Sequence, residues 1–85
     1  MGNDRIRIVE RAESDWKNLS GEEQSLVREV LDRLDDDPIA GVPLFAPLQG
    51  YWSYRKNWLR VVYRIMAEAR IVIILKIARV ADTSS

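Results

Sequence analysis

A stretch of alternating side chains, "GYWSYRKNWLRVVYRI" at residues 50–65, constrains the fold of this chain more than any other segment. In this stretch apolar residues such as Leu59 and Val61 occupy odd-numbered positions, and Arg60 occupies an even-numbered position between them. Because successive side chains of a strand point to opposite faces of a sheet, the alternation predicts a β-hairpin with one apolar and one cationic face. The cationic face is either a binding surface or only the solvated side of a small sheet.

The strand that follows this hairpin is predicted to lie in the interior of the sheet. Residues 71–75, "IVIIL", are apolar on both faces, which is typical of an interior strand. We therefore predict a three-stranded antiparallel meander over residues 51–56, 58–66 and 70–78, with its last strand between the middle one and a short first strand at residues 5–10.

Two helices are predicted between the first strand and the meander. Ala12 and Trp16 begin an apolar stripe of helical spacing, and Ser20 with Glu23 forms a capping box at the start of a second helix. We expect this helix to fray at residues 35–37, "DDD", because aspartates are unfavourable at a helix C-terminus. The order β-α-α-β-β-β predicts an α+β fold, with an αα-hairpin packed on one face of a four-stranded, mainly antiparallel sheet.

Length and composition restrict the chemistry available to the chain. Its 85 residues suit a single domain spanning residues 1–85, and 47% hydrophobic with 31% charged residues is typical of a soluble globular protein. The absence of cysteine and histidine excludes disulfides, a thiol nucleophile, an ordinary zinc site and imidazole acid–base catalysis. We expect no metal or other cofactor, since the consecutive carboxylates of residues 35–37 do not converge on one point. No apolar run can span a bilayer, so a cytoplasmic location is expected.

Charge is divided unevenly along the sequence. Residues 1–50 carry 6 basic and 11 acidic side chains, whereas residues 51–85 carry 7 basic and 2 acidic ones. A basic half points to a polyanionic partner, and the alternative is that these charges are simply solvated.

Parity predicts which cations share the face that the helices leave uncovered. If the hairpin turn has an even number of residues, Tyr51, Ser53 and Arg55 lie across from Val62, Arg60 and Trp58 on that face. Lys76 joins them from the next strand, and Arg7 is a further candidate from the first. These side chains give the sheet a surface suited to binding phosphate. The alternative is that this surface is only the solvated side of the sheet.

The stretch "PLFAPLQGYWSYRKNWLRVVYRI" followed by "IVIILKIAR" resembles the RelE/ParE toxin superfamily, and the resemblance extends over essentially the whole chain. It implies the toxin of a type II toxin–antitoxin pair, either a ribosome-dependent mRNA endonuclease that inhibits translation or a DNA gyrase poison. A third possibility, of another class, is a catalytically degenerate module that only binds its antitoxin. The partners implied are a co-encoded antitoxin and mRNA on the ribosome, or gyrase in the alternative.

The family's functional positions are only partly filled in this sequence. Arg60 matches the arginine that contacts the cleaved phosphate, while Tyr51 and Ser53 stand where some relatives have lysines. The second catalytic arginine falls at Val80, with Arg79 beside it, and the family's C-terminal tyrosine has no counterpart. The resemblance therefore implies Arg60, Arg79 and Tyr51 as catalytic candidates.

The remaining candidates would bind RNA or transfer protons. The predicted RNA-binding side chains are the cations around the hairpin, Arg55, Lys56, Arg64 and Lys76. Cleavage by a 2′-OH needs a proton acceptor and a proton donor, for which Glu68 and Asp82 are candidates besides Tyr51.

Overall fold

The computed structural model describes residues 4–80 of the chain, so that Asp82, a candidate proton-transfer group, lies outside the described residues. The elements are β1 (Ile6–Ile8), α1 (Glu10–Lys17), α2 (Gly21–Asp36), a 3-10 turn (Pro38–Ala40), β2 (Val42–Pro43), β3 (Trp52–Lys56), β4 (Leu59–Met66) and β5 (Ile71–Arg79). Neither helix in this part of the chain is long and apolar enough to cross a membrane.

The strands form one sheet in the order β1-β5-β4-β3-β2. β1 runs parallel to β5, and the other neighbours are antiparallel, so the predicted class, the predicted position of β5 and the predicted meander are confirmed. The sheet has five strands rather than four, because Val42 pairs with Ser53 and Pro43 with Trp52. Proline lacks an N–H for the ladder, so the sequence predicts a loop there. It is nevertheless tolerated in a strand at the edge of a sheet, which is the position of β2.

α2 begins with the predicted capping box and extends further than expected. The Ser20 Oγ accepts from the Glu23 N–H at 3.1 Å, and Glu23 Oε1 accepts from the Ser20 N–H at 3.0 Å. The expectation that the helix frays at residues 35–37 is wrong, since α2 continues through Asp36. Tertiary contact compensates for the unfavourable dipole: the Arg5 N–H donates to Asp35 Oδ1 at 3.1 Å.

The core lies between the helices and one face of the sheet. Alternate residues of β4 face it, and Tyr63 at the centre of that row is fully buried. The largest fully buried side chains are Val27, Val30 and Leu34 of α2, Leu59, Val61 and Tyr63 of β4, and Val72 and Ile74 of β5. The helices therefore cover the face that parity predicts, and the opposite face of β3, β4 and β5 is left open.

The β3–β4 hairpin has a different register from the predicted one. Its turn is Asn57–Trp58, with Asn57 in the left-handed region at φ 54°, so that Ser53 lies opposite Val62 and Arg55 opposite Arg60. The expected face of these residues is unchanged, because the shift is an even number of residues. Trp58 is the exception, because it lies in the turn and not on the open face. Its indole Nε1 donates to Glu23 of α2.

β5 contains a bulge beside the centre of β4. Val62 pairs with Lys76 and Tyr63 with Ile74, so Leu75 is an extra residue in the ladder. Bulges re-aim side chains locally, and here both Leu75 and Lys76 line the open face. Beyond the end of β1, the Ile77 N–H donates instead to Asp15 Oδ2 of α1 at 3.0 Å.

Candidate functional site

The open face of the sheet carries a groove with a volume of about 920 Å³. Its floor is formed by β3, β4 and β5, and its two sides by the β2–β3 connection and by the start of α1. The lining residues are Val9, Arg11, Leu44, Leu48, Tyr51, Ser53, Arg60, Val62, Leu75, Lys76, Ala78, Arg79 and Val80. Because strands lie about 4.8 Å apart, the floor from β3 to β5 is about 10 Å wide.

The groove is cationic and contains no carboxylate. Arg11, Arg60, Lys76 and Arg79 are in its lining, which includes neither aspartate nor glutamate among the residues that the structure describes. Arg79 is paired with a carboxylate outside the lining, but Arg11, Arg60 and Lys76 have no ion pair within residues 4–80, so these three raise the local positive potential, which the low-dielectric walls focus. An anionic ligand is the chemistry that this arrangement suits.

The groove brings together four of the predicted site residues, Tyr51, Arg60, Lys76 and Arg79. A fifth, Arg64, lies next to it, where its guanidinium stacks over the Tyr51 ring at 5.5 Å from the centroid. Arg7 is on the same face as Arg64, since both are in register with Ile73, but its guanidinium donates to the Asp4 carbonyl oxygen.

The structure separates Arg55 and Lys56 from the groove. Arg55 is exposed on the open face near the hairpin turn, where its Nε donates to the Asn57 carbonyl oxygen at 3.3 Å. Lys56 has the opposite parity and turns to the helix-covered side, with its Nζ 3.2 Å from Glu29 Oε1 of α2. An RNA-binding role for these two residues stays a prediction, and for Lys56 it has no support from geometry.

Arg79 is held at the end of the groove by an ionic cluster. Its Nε donates to Glu23 Oε2 at 2.8 Å and its Nη2 to Glu23 Oε1 at 2.7 Å, while the Trp58 indole also donates to Glu23 Oε2 at 2.7 Å. The bonds from Arg79, then from the Ser20 N–H and Trp58, hold the pKa of Glu23 far below its ordinary value. The same bonds from Glu23 raise the pKa of Arg79.

The other proton-transfer and metal candidates are not assembled into a site. Glu68 is exposed in the turn between β4 and β5 and does not line the groove. Asp35 accepts from the Arg5 N–H, and Asp37 pairs with Arg33 at 3.6 Å. Within residues 4–80, no group of three or more acidic side chains is close enough to hold a metal ion.

Sequence reasoning missed the two sides of the groove. Arg11 belongs to the first turn of α1, and Leu44 and Leu48 belong to a connection that reads only as a loop. Strand parity carries no information about residues outside strands, so no sequence signal assigns them to the open face. The proline-rich composition of residues 43–47 predicts a loop but not the direction of its side chains.

The segment between α2 and β2, which leads into the loop side of the groove, is anchored to the core. The Tyr63 hydroxyl donates to the Pro38 carbonyl oxygen at 2.8 Å and accepts from the Gly41 N–H at 3.1 Å. Burial raises the pKa of Tyr63 above its ordinary value. Gly41 passes so close to Tyr63 and to the Ser53 backbone that a Cβ atom there would collide with both.

Known structures share this fold over most of their length. The toxin in the RelBE2 toxin–antitoxin complex from Mycobacterium tuberculosis is 30% identical, with a TM-score of 0.83 over 87% of this chain and 94% of that one. The isolated RelE toxin of E. coli is 17% identical, with a TM-score of 0.78 over 92% of this chain and 85% of that one. A YoeB/ParE toxin from Agrobacterium tumefaciens is 19% identical, with a TM-score of 0.76 over 91% of this chain and 99% of that one.

No protein-family model matches the sequence, and no curated protein matches it either. The fold and the identity to the mycobacterial toxin nevertheless define the class. The chain belongs to the RelE/ParE toxin superfamily and is a toxin component of the type II toxin–antitoxin class.

Proposed function

We propose that this toxin is a ribosome-dependent mRNA endonuclease that inhibits translation, with mRNA bound in the open-face groove. The observation that carries the proposal is the groove itself, whose described lining has no carboxylate and in which Arg11, Arg60 and Lys76 have no ion pair within residues 4–80. A phosphodiester backbone is the polyanion that such a groove suits, because each phosphate can replace solvent counterions at a fixed cation.

Arg60 is the proposed phosphate ligand at the site of cleavage. It projects from the middle strand of the groove floor and has no ion pair in residues 4–80, so its guanidinium fork is available to two phosphate oxygens. Attack of a 2′-OH on phosphorus places extra negative charge on those oxygens, and a positioned cation stabilises that charge.

Tyr51 is the proposed proton-transfer residue, since in the described lining of the groove only Tyr51 and Ser53 have a side-chain hydroxyl. In the cleavage step the 2′-OH loses its proton as its oxygen bonds to phosphorus, and the 5′ oxygen gains one as it leaves. Arg79 takes part in this chemistry only if its guanidinium leaves Glu23, to which it donates two hydrogen bonds.

The proposed partner is a co-encoded antitoxin that covers the open face. The similar structures include a RelBE2 complex and an archaeal RelE–RelB complex, each of a toxin with its antitoxin. An acidic segment would neutralise Arg60, Arg64 and Lys76 and shield the apolar groove residues. Purified toxin and antitoxin that elute separately on gel filtration would contradict this pairing.

A second candidate is a toxin of the same fold without nuclease activity, either a gyrase poison or an antitoxin-binding module. Two observations favour it. Arg79 is held by Glu23, and within the described chain the groove offers no carboxylate as a general base.

Expression of the toxin in cells that lack the antitoxin separates these functions. The proposal expects growth arrest with cleaved mRNA, mapped by sequencing of transcript 5′ ends. Growth arrest with DNA damage and intact mRNA would identify the gyrase poison. Unimpaired growth at a verified protein level would identify the binding module.

A further inference from the structure

The groove has an apolar side that phosphate binding does not explain. Leu44 and Leu48, from the β2–β3 connection, line it next to β3, whereas Lys76 and Arg11 line it on the side of β5 and α1. Leu48 is 49% exposed, although it lines the groove beside an apolar floor. A ligand with an anionic part and a flat apolar part would contact both sides at once.

This apolar side is held in place before any ligand binds. The Leu44 N–H donates to the Tyr51 carbonyl oxygen at 2.8 Å, and the Tyr51 N–H donates to the Leu48 carbonyl oxygen at 3.1 Å. A turn closes the loop, in which the Leu48 N–H donates to the Phe45 carbonyl oxygen at 2.8 Å. A side that is already ordered loses little entropy when it contacts a ligand.

We propose that Leu44 and Leu48 form the binding surface for one nucleobase of single-stranded RNA, whose phosphate lies at Arg60 and Lys76. The inference rests on the proposed function and adds to it a site for the base. Arg60 lies on β4, next to β3, and Lys76 lies on β5, one strand further away, so the phosphate lies about one to two strand spacings, of about 4.8 Å each, from the strand that the leucine-bearing connection enters. Phosphate contacts fix the register of a nucleic acid, and contacts to the bases decide which sequence is preferred.

The test compares two RNA probes of equal charge. One is a fluorescein-labelled, mixed-sequence RNA hexamer, and the other is a hexamer of the same length whose sugars carry no base. Their affinities for the purified toxin are measured by fluorescence anisotropy at low salt, where phosphate contacts are strongest. We expect the natural hexamer to bind about tenfold tighter than the hexamer without bases, from the apolar area that one base buries.

Three variants distinguish the base site from the phosphate site. Leu48→Ala is expected to remove most of the difference between the probes, while Arg60→Ala weakens both probes by the same factor. Phe45→Ala is the matched control, because Phe45 is 79% exposed on the same loop but does not line the groove. It is expected to bind both probes as the wild type does.

The outcomes that overturn the inference differ from those that overturn the proposed function. Equal affinity of the wild type for both hexamers would refute the base site and leave phosphate binding intact. If neither hexamer binds, the base site is refuted as well, whereas the proposed ribosome-dependent function is overturned only by the absence of mRNA cleavage in cells. If Leu48→Ala weakens only the binding of the antitoxin, the leucines belong to the antitoxin interface and the inference is wrong.

Discussion

Both faces of the sheet carry arginine and lysine side chains, but only the helix-covered face supplies them with carboxylate partners in residues 4–80. On that face Lys56 meets Glu29. Arg79 borders the open-face groove at the end of β5, but it is in register with buried Leu59 and its guanidinium turns to Glu23 of α2. On the open face Arg60 and Lys76 project into a groove whose described lining has no acidic residue. The same residue types therefore have two different electrostatic environments in one small sheet.

The difference follows from what covers each face. α2 carries acidic residues on the side that approaches the hairpin, so cations of the covered parity find a carboxylate within reach. No helix within residues 4–80 covers the open face, and its like charges repel one another. Such repulsion lowers the stability of the free protein and is relieved when a polyanion binds, which supports the proposal that the open face is a binding surface.

The largest expected effect on stability comes from Glu23→Gln, on the covered side. The two carboxylate oxygens accept from Ser20, Trp58 and twice from Arg79, and an amide would turn an NH2 donor towards some of these donors. We expect the Tm to fall by about 5 °C or more, measured by circular dichroism. Glu22→Gln removes the same charge from the exposed neighbour, and an equal loss there would refute the special role of Glu23.

The Glu23 cluster also determines how stability responds to acid. Because the pKa of Glu23 is lowered in the folded state, the unfolded chain takes up its proton first as the pH falls. The contribution of this group is therefore fully present above its ordinary pKa of 4.5 and is lost progressively below it. In urea unfolding from pH 7 to pH 3, Glu23→Gln should show a weaker loss of stability than the wild type, and parallel curves would contradict this account.

A smaller effect is expected from Tyr63→Phe, in the core, where the hydroxyl of Tyr63 holds the segment between α2 and β2. The change leaves the Gly41 N–H and the Pro38 carbonyl oxygen without their partner, at a cost of about 1–3 kcal/mol in the free energy of unfolding. Hydrogen exchange should also become faster at Gly41, in the segment between α2 and β2, because the anchor of that segment is lost. Tyr54→Phe, on neighbouring β3, is the control, and equal costs for the two variants would argue against the anchor.

The smallest effect is expected from Lys56→Ala. Its ion pair with Glu29 is partly exposed, so its loss should cost less than about 1 kcal/mol in urea unfolding. Toxicity should be unchanged, whereas Lys76→Ala on the open face should reduce toxicity at unchanged stability. A Lys56→Ala variant that folds but is no longer toxic would show that the covered face also contributes to function.

The sequence predicts the fold and the face of most site residues, because strand parity and capping are local signals. Arg60, Lys76 and Tyr51 lie where parity places them. The sequence does not predict that Arg79 bonds to Glu23, because this bond joins β5 to a residue of α2 that is 56 positions away in sequence. Nor does it predict that Leu44 and Arg11 enclose the groove, since loop and helix side chains are directed by tertiary packing.

The most direct test of the difference between the two faces compares Arg60→Ala with Arg79→Ala, each assayed by urea unfolding and by toxicity at matched expression. Arg60→Ala should change the free energy of unfolding by less than about 1 kcal/mol, because no packing is lost, and should reduce activity a hundredfold or more. Arg79→Ala should lower the urea midpoint by breaking the bond with Glu23, with a smaller loss of activity per folded molecule. A folded Arg60→Ala protein that is as toxic as the wild type would contradict the account and leave the open-face cations as solvated side chains.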